Sequence, residues 1–133
     1  MTWHAAPGLA EIVWCRFPYR ERPTQPAPVL HPALIIAVDD RSKPIKVIAV
    51  FGTSSVPVKI KPWQLLLAPG VAAFKDTGLS AATIFDFERR AVLPCDNRYF
   101  PDSPKIGTLP KHYMVDAQSA MRAAVEQERL TRR

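Results

Sequence analysis

Proline recurs so often along this chain that few stretches are left in which a helix could run. Fourteen of the 133 residues are proline. Each lacks a backbone N–H and fixes φ at about −65°, which breaks helix interiors and confines the residue to loops, sheet edges and first turns. The spacing therefore favours short strands joined by stiff loops. Glu11 to Phe17, EIVWCRF, is β-branched and aromatic and is stopped by Pro18, so it predicts a strand. Pro18, Pro23, Pro26 and Pro28, with Arg20 and Arg22 among them, make the segment up to Leu30 a surface loop. Ala33 to Val38, ALIIAV, is a nearly continuous apolar run and predicts a strand buried on both faces.

Asp39, Asp40, Ser42 and Pro44 supply a turn, and Ile45 to Phe51, IKVIAVF, follows as the hairpin partner. GTSS, Gly52 to Ser55, breaks the pattern. Val56 to Ile60, VPVKI, alternates apolar and polar as a half-exposed edge strand would, and Trp63 to Ala68, WQLLLA, predicts another strand before Pro69-Gly70. Leu79 to Phe87 and Ala91 to Leu93 read as extended, interrupted by Glu88, Arg89 and Arg90. Only the last segment has helical spacing: Met114, Ala117, Met121, Val125 and Glu128 recur every three or four residues. Pro110 fits a first turn, where its missing N–H leaves nothing unpaired, so the helix is expected to begin within Pro110 to Tyr113. The fold class is mainly β: a single domain over residues 1–133, with about five to seven short strands in a small, strongly bent antiparallel sheet or barrel and a C-terminal α-helix.

Composition narrows the setting. Apolar residues make up 47% and charged residues 23%, as in a globular protein with a real core. No apolar run approaches the ~18 residues that predict a membrane span. The start has no basic stretch followed by an apolar one, so a cytoplasmic protein is expected. Cys15 and Cys95 both have apolar sequence neighbours and read as buried thiols, although one disulfide is arithmetically open. Lys and Arg exceed Asp and Glu by 18 to 12, a formal +6, which suits a polyanionic or acidic partner.

The chemistry-bearing residues exclude more than they select. His4, His31 and His112 are far apart and no Cys or His pair has ligand spacing, so neither a metal nor another cofactor is expected. No glycine-rich phosphate loop is present. Asp39-Asp40 and Asp86 with Glu88 read as solvated turn residues. Groups able to handle phosphate are easier to find: Arg16, Arg20 and Arg22 lie on or after the first strand, His31 opens the second, and Thr53, Ser54 and Ser55 follow the third. In a hairpin the start of one strand lies near the end of the next, so His31 and Thr53 are expected on one rim. Imidazole can exchange a proton near neutral pH, while hydroxyls and guanidinium can hold phosphoryl oxygens. On residues alone a plainer reading stays open, in which His31 ends a strand, GTSS is a turn and the arginines are solvated.

The order of these landmarks resembles the PemK/MazF family of type II toxin–antitoxin toxins over about residues 8–130. AEIVW, Ala10 to Trp14, stands for the family's opening G-D-[IV]-V-W, and HPALII, His31 to Ile36, for its R-P-[AV]-L-[VI]-[IV]. VIAVFGTSS, Val47 to Ser55, is similar to the strand that ends near a threonine. Thr77 to Phe100 is similar to a small-residue-rich strand with its extension, and KIGTLP, Lys105 to Pro110, to the I-G-x-L before the last helix. The resemblance implies an SH3-like antiparallel barrel, a homodimer, and a cognate antitoxin protein whose C-terminal segment fills the RNA groove. It also implies a metal-independent endoribonuclease that cuts single-stranded RNA through its own 2′-hydroxyl. The family's catalytic threonine maps to Thr53 and its catalytic arginine to His31, leaving Arg16, Arg20, Arg22, Ser54 and Ser55 as expected RNA-binding residues. Histidine for arginine is a departure. A permanent planar fork is replaced by one donor and one acceptor that can shuttle a proton. A non-catalytic RNA- or protein-binding module on the same fold is the alternative this departure raises.

Overall fold

The structure is a computed structural model and describes residues 7–131; His4 lies outside them. Six strands form one antiparallel sheet: β1 (Glu11–Cys15), β2 (His31–Asp39), β3 (Lys46–Thr53), β4 (Gln64–Leu67), β5 (Thr83–Pro94) and β6 (Lys105–Thr108). Their order across the sheet is β4-β5-β3-β2-β1-β6, and the sheet curls into a half-barrel. The helix α1 (Met114–Thr131) follows a short 3-10 turn, Lys111–Tyr113, so helical backbone begins where Pro110 predicted it and becomes α-helical three residues later.

β2 is buried on both faces only over Ala33 to Ile35; Ile36 and Ala37 are half-buried and Val38, expected inside, is 39% exposed. Leu34 faces one core with Ile12, Val50, Phe85 and Phe87, beneath Ala120 and Ala124 of α1. Ala33 and Ile35 face the other, with Val13, Cys15, Val47, Ala49, Tyr99 and Phe100. Cys15 and Cys95 both stand on this second side as free thiols. On α1 the inward stripe runs through Met114, Ala117, Ala120, Met121 and Ala124. Val125, expected on that stripe, is instead about half exposed, at 49%.

Three expectations about elements need correction. Val56 to Ile60 is not a strand: residues 54–62 form an exposed loop, and Val58 is fully exposed. Its alternation has no core to face, and Pro57 and Pro62 remove donors that a ladder needs. The strand expected from Leu79 starts only at Thr83, after a 3-10 turn at Ala72–Thr77 that sequence pattern did not suggest. Finally, Glu88 to Arg90 do not interrupt β5 but lie within it. One step on β3, from Val50 to Phe51, spans Arg90 to Asp86 on β5, so Phe87, Glu88 and Arg89 leave the β3 ladder as a bulge. The Phe87 N–H turns instead to the Trp63 carbonyl at 2.9 Å, and Asp86 accepts the Glu88 N–H at 3.0 Å.

The proline-rich loop between β1 and β2 is tethered. Ala27, only 3% exposed, donates its N–H to the Arg16 carbonyl at 3.1 Å. The Tyr99 hydroxyl donates to the Thr24 carbonyl at 3.2 Å. The loop thus carries Arg20 past the sheet face at a set place.

Candidate active site

The β2–β3 ladder pairs Ala33 with Phe51, which brings the first residues of β2 beside the last of β3. Gly52 makes the approach close. A Cβ there would stand 2.6 Å from both the Pro32 carbonyl oxygen and the Phe85 ring, so no larger residue fits. Beyond this contact a hollow of about 390 Å³ opens, within the range of ligand clefts. His31, Thr53, Ser54 and Ser55 line one side of it; Trp14 and Ile106 line another, and Gly78 to Ala81 close the rim. Gly78 has φ 73°, the left-handed turn that brings this rim segment off the 3-10 turn.

The hydroxyl of Thr53 accepts the Ser55 N–H at 3.1 Å. Its own proton has no acceptor among the described residues and is free to donate. The His31 ring packs against Phe51, centroids 5.1 Å apart, and has no hydrogen-bond partner among the described residues. Partial burial first, and the Arg89 cation second, hold its pKa below the usual value. Both effects favour the neutral imidazole, the form that can accept a proton.

Arg89 is the residue that sequence reasoning passed over. Its guanidinium carbon lies 4.0 Å from the Phe51 centroid and 5.5 Å from that of Phe17. Nη2 donates to the Pro18 carbonyl at 3.3 Å. Phe51 is thus the common neighbour of His31 and Arg89, and a permanent cation stands beside the histidine. Arg20 shares with Arg89 a second cleft, walled by Phe17, Tyr19 and Pro23. Arg16 and Arg22 line neither hollow. The only sequence hint of Arg89 was a charged triplet inside an apolar strand pattern.

The remaining histidine, His112, packs edge-on against Tyr113, with centroids 5.0 Å apart. Among the described residues no three His, Cys, Asp or Glu side chains gather as a metal site.

No curated protein matches the chain by sequence. A mycobacterial endoribonuclease solved in complex with its cognate antitoxin superposes with a TM-score of 0.61 and 16% identity, over 91% of this chain and 96% of that one. A second mycobacterial endoribonuclease gives 0.59 and 16%, over 94% and 96%. At that identity the likeness speaks for the fold. The profile of the PemK-like, MazF-like toxin of type II toxin-antitoxin systems matches residues 9–125, which contain β1 to β6 and most of α1. The chain belongs to the PemK-like, MazF-like toxins of type II toxin–antitoxin systems and has their endoribonuclease fold.

Proposed function

We propose that the chain cleaves single-stranded RNA in the His31–Thr53 hollow, as a toxin held in check by a cognate antitoxin. The observation that carries this reading is the convergence of a neutral imidazole and a free hydroxyl proton on one hollow. Neutral His31 takes the proton of the ribose 2′-hydroxyl as that oxygen attacks the adjacent phosphorus. The O2′–P bond forms, the P–O5′ bond breaks, and the leaving 5′-oxygen takes a proton from water. The products are a cyclic phosphate and a 5′-hydroxyl. Thr53, with Ser54 and Ser55, donates to the phosphoryl oxygens, where charge builds in the transition state.

The family's pairing of toxin and antitoxin supports an antitoxin partner whose segment competes with RNA for this face, and the formal +6 charge suits either polyanionic RNA or an acidic segment. A homodimer is the expected assembly, and sedimentation at micromolar concentration tests it. The test of the reaction is a time-resolved digest of mixed-sequence single-stranded RNA in chelator, with His31→Ala, His31→Arg and Thr53→Ala beside the wild type. Cleavage to cyclic-phosphate ends that both alanine variants lose supports the assignment. No cleavage by wild type, at concentrations where RNA binds, leaves only the binding module. Increased cleavage by His31→Arg identifies a weakened nuclease; lost cleavage gives the histidine its own role.

A further inference from the structure

The cleft beside the hollow brings two guanidinium groups, Arg20 and Arg89, together. Arg89 is only partly exposed, yet no carboxylate pairs with it among the described residues. A hydrogen bond to Pro18 uses one of its N–H groups, and most of its five donors stay free. Its flat face is taken by Phe51, which leaves the in-plane donors to meet a ligand. Burial first, then the nearby Arg20 cation, work against its charge, and Asp86 and Glu21 offset them less. Of the other charges lining the cleft, Arg90 is already paired with Glu128, and Glu88 is a lone carboxylate against the two remaining cations. A half-buried guanidinium beside a second one, with carboxylates nearby but none in a salt bridge to it, is a place where an incoming anion relieves both desolvation and repulsion. Tyr19, 41% exposed in the same cleft, offers a ring face to a base.

Building on the RNA-cleavage reading above, we propose that Arg20 and Arg89 form a second phosphate subsite, joined to the His31–Thr53 hollow through Phe51, which holds a neighbouring phosphate of the same RNA strand. The strand then runs from the hydroxyl-lined hollow, past the His31–Phe51 edge, to the arginine cleft. Arg89 fixes the register of the strand, and His31 acts on the bond next to it.

The test uses single-stranded RNA made uncleavable by one 2′-deoxy sugar at the scissile position. Affinity is measured against salt for wild type, Arg89→Gln, Arg20→Gln and Arg89→Lys. Loss of one phosphate contact on a single strand lowers the slope of log K against log salt by ~0.7. Each glutamine variant is expected to show about that loss, with several-fold weaker binding at low salt. Arg89→Lys restores the slope but not the whole affinity, since an ammonium cannot stack and fork together. A neutral methylphosphonate walked along the strand then finds the phosphate concerned. One position weakens wild type and leaves Arg89→Gln unmoved. A walk in which wild type and Arg89→Gln respond alike, or wild-type binding that ignores salt, overturns the subsite. Failure of wild type to cut the all-ribose parent overturns the nuclease reading instead, so the two are separable. Should Arg89→Gln fail to fold, Arg20→Gln on the exposed loop carries the same slope and walk measurements.

Discussion

The guanidinium of Arg89 lies over the ring of Phe51, 4.0 Å from its centroid, and the imidazole of His31 packs against that same ring at 5.1 Å. One aromatic side chain thus joins a permanent cation to a titrating group.

That pairing sets a pH dependence. Burial and Arg89 both disfavour the imidazolium, so the folded pKa of His31 lies below its ordinary value. If His31 accepts the 2′ proton, kcat/KM rises with pH through a midpoint below ~6.5 and then levels off. Arg89→Gln should move the midpoint upward, while His31→Ala should lower cleavage ~10²–10⁴-fold and remove the limb. A rate that stays flat from pH 5 to 8 in wild type, as a permanently charged group would give, excludes His31 as base.

The same shift acts on stability. The unfolded chain binds the His31 proton more readily than the folded one, so stability is full above the unfolded pKa near ~6.5 and declines as pH falls below it. His31→Gln should flatten that part of the curve, read by thermal melts between pH 4.5 and 7.5.

Gly52 is a steric requirement of the site. Gly52→Ala sets a methyl against the Pro32 carbonyl and the Phe85 ring at 2.6 Å. The overpacking should cost ~1–3 kcal/mol, seen as a lowered denaturant midpoint with an unchanged slope. Unaltered stability would mean that β2 and β3 separate here more easily than their register shows.

Tyr113 offers the opposite sign. Its hydroxyl is buried with no hydrogen-bond partner among the described residues, and burial raises its pKa. Tyr113→Phe removes an unsatisfied polar group and keeps the ring against the core, so stability should hold or rise, by up to ~1–3 kcal/mol. A clear loss would reveal a partner for that hydroxyl.

The cysteines should be inert in the native protein. Burial pushes the Cys15 thiol up to about 12 and Cys95 up to about 11, and the thiolate is the reactive form. Labelling by a disulfide reagent at pH 8 should be slow, with Cys95 ahead of Cys15, and should complete only in denaturant. Fast labelling of both would contradict their burial.

Much of this architecture was legible in the residues, for physical reasons that differ by element. ALIIAV announced a strand, which is buried on both faces over Ala33 to Ile35 but leaves Val38 exposed, and Pro110 announced a helix start nearby because proline, lacking an N–H, suits the residue at which helical backbone begins. His31 and Thr53 could be placed on one rim because hairpin geometry is local. VPVKI misled because alternation reports amphipathicity without saying whether a core lies opposite. Arg89 was illegible because its place depends on a bulge, and a bulge is set by what Phe87 and Asp86 bond to rather than by their neighbours in the chain. Of Arg16, Arg20 and Arg22, the fold brings only Arg20 to the cleft, which charge alone does not reveal.

The β5 bulge also bears on how relatives are to be compared. Counted forward from Thr83, or backward from Pro94, the strand keeps two different registers against β3, and they disagree by the three residues Phe87, Glu88 and Arg89. An alignment that carries one register through the whole strand will slide a relative's cation onto the wrong side chain. It will report Arg89 as absent from a protein that has it, or as present where the guanidinium points elsewhere. Equivalence at this cleft has to be judged by which arginine lies over the ring at the position of Phe51, a spatial criterion that does not depend on counting residues through the bulge.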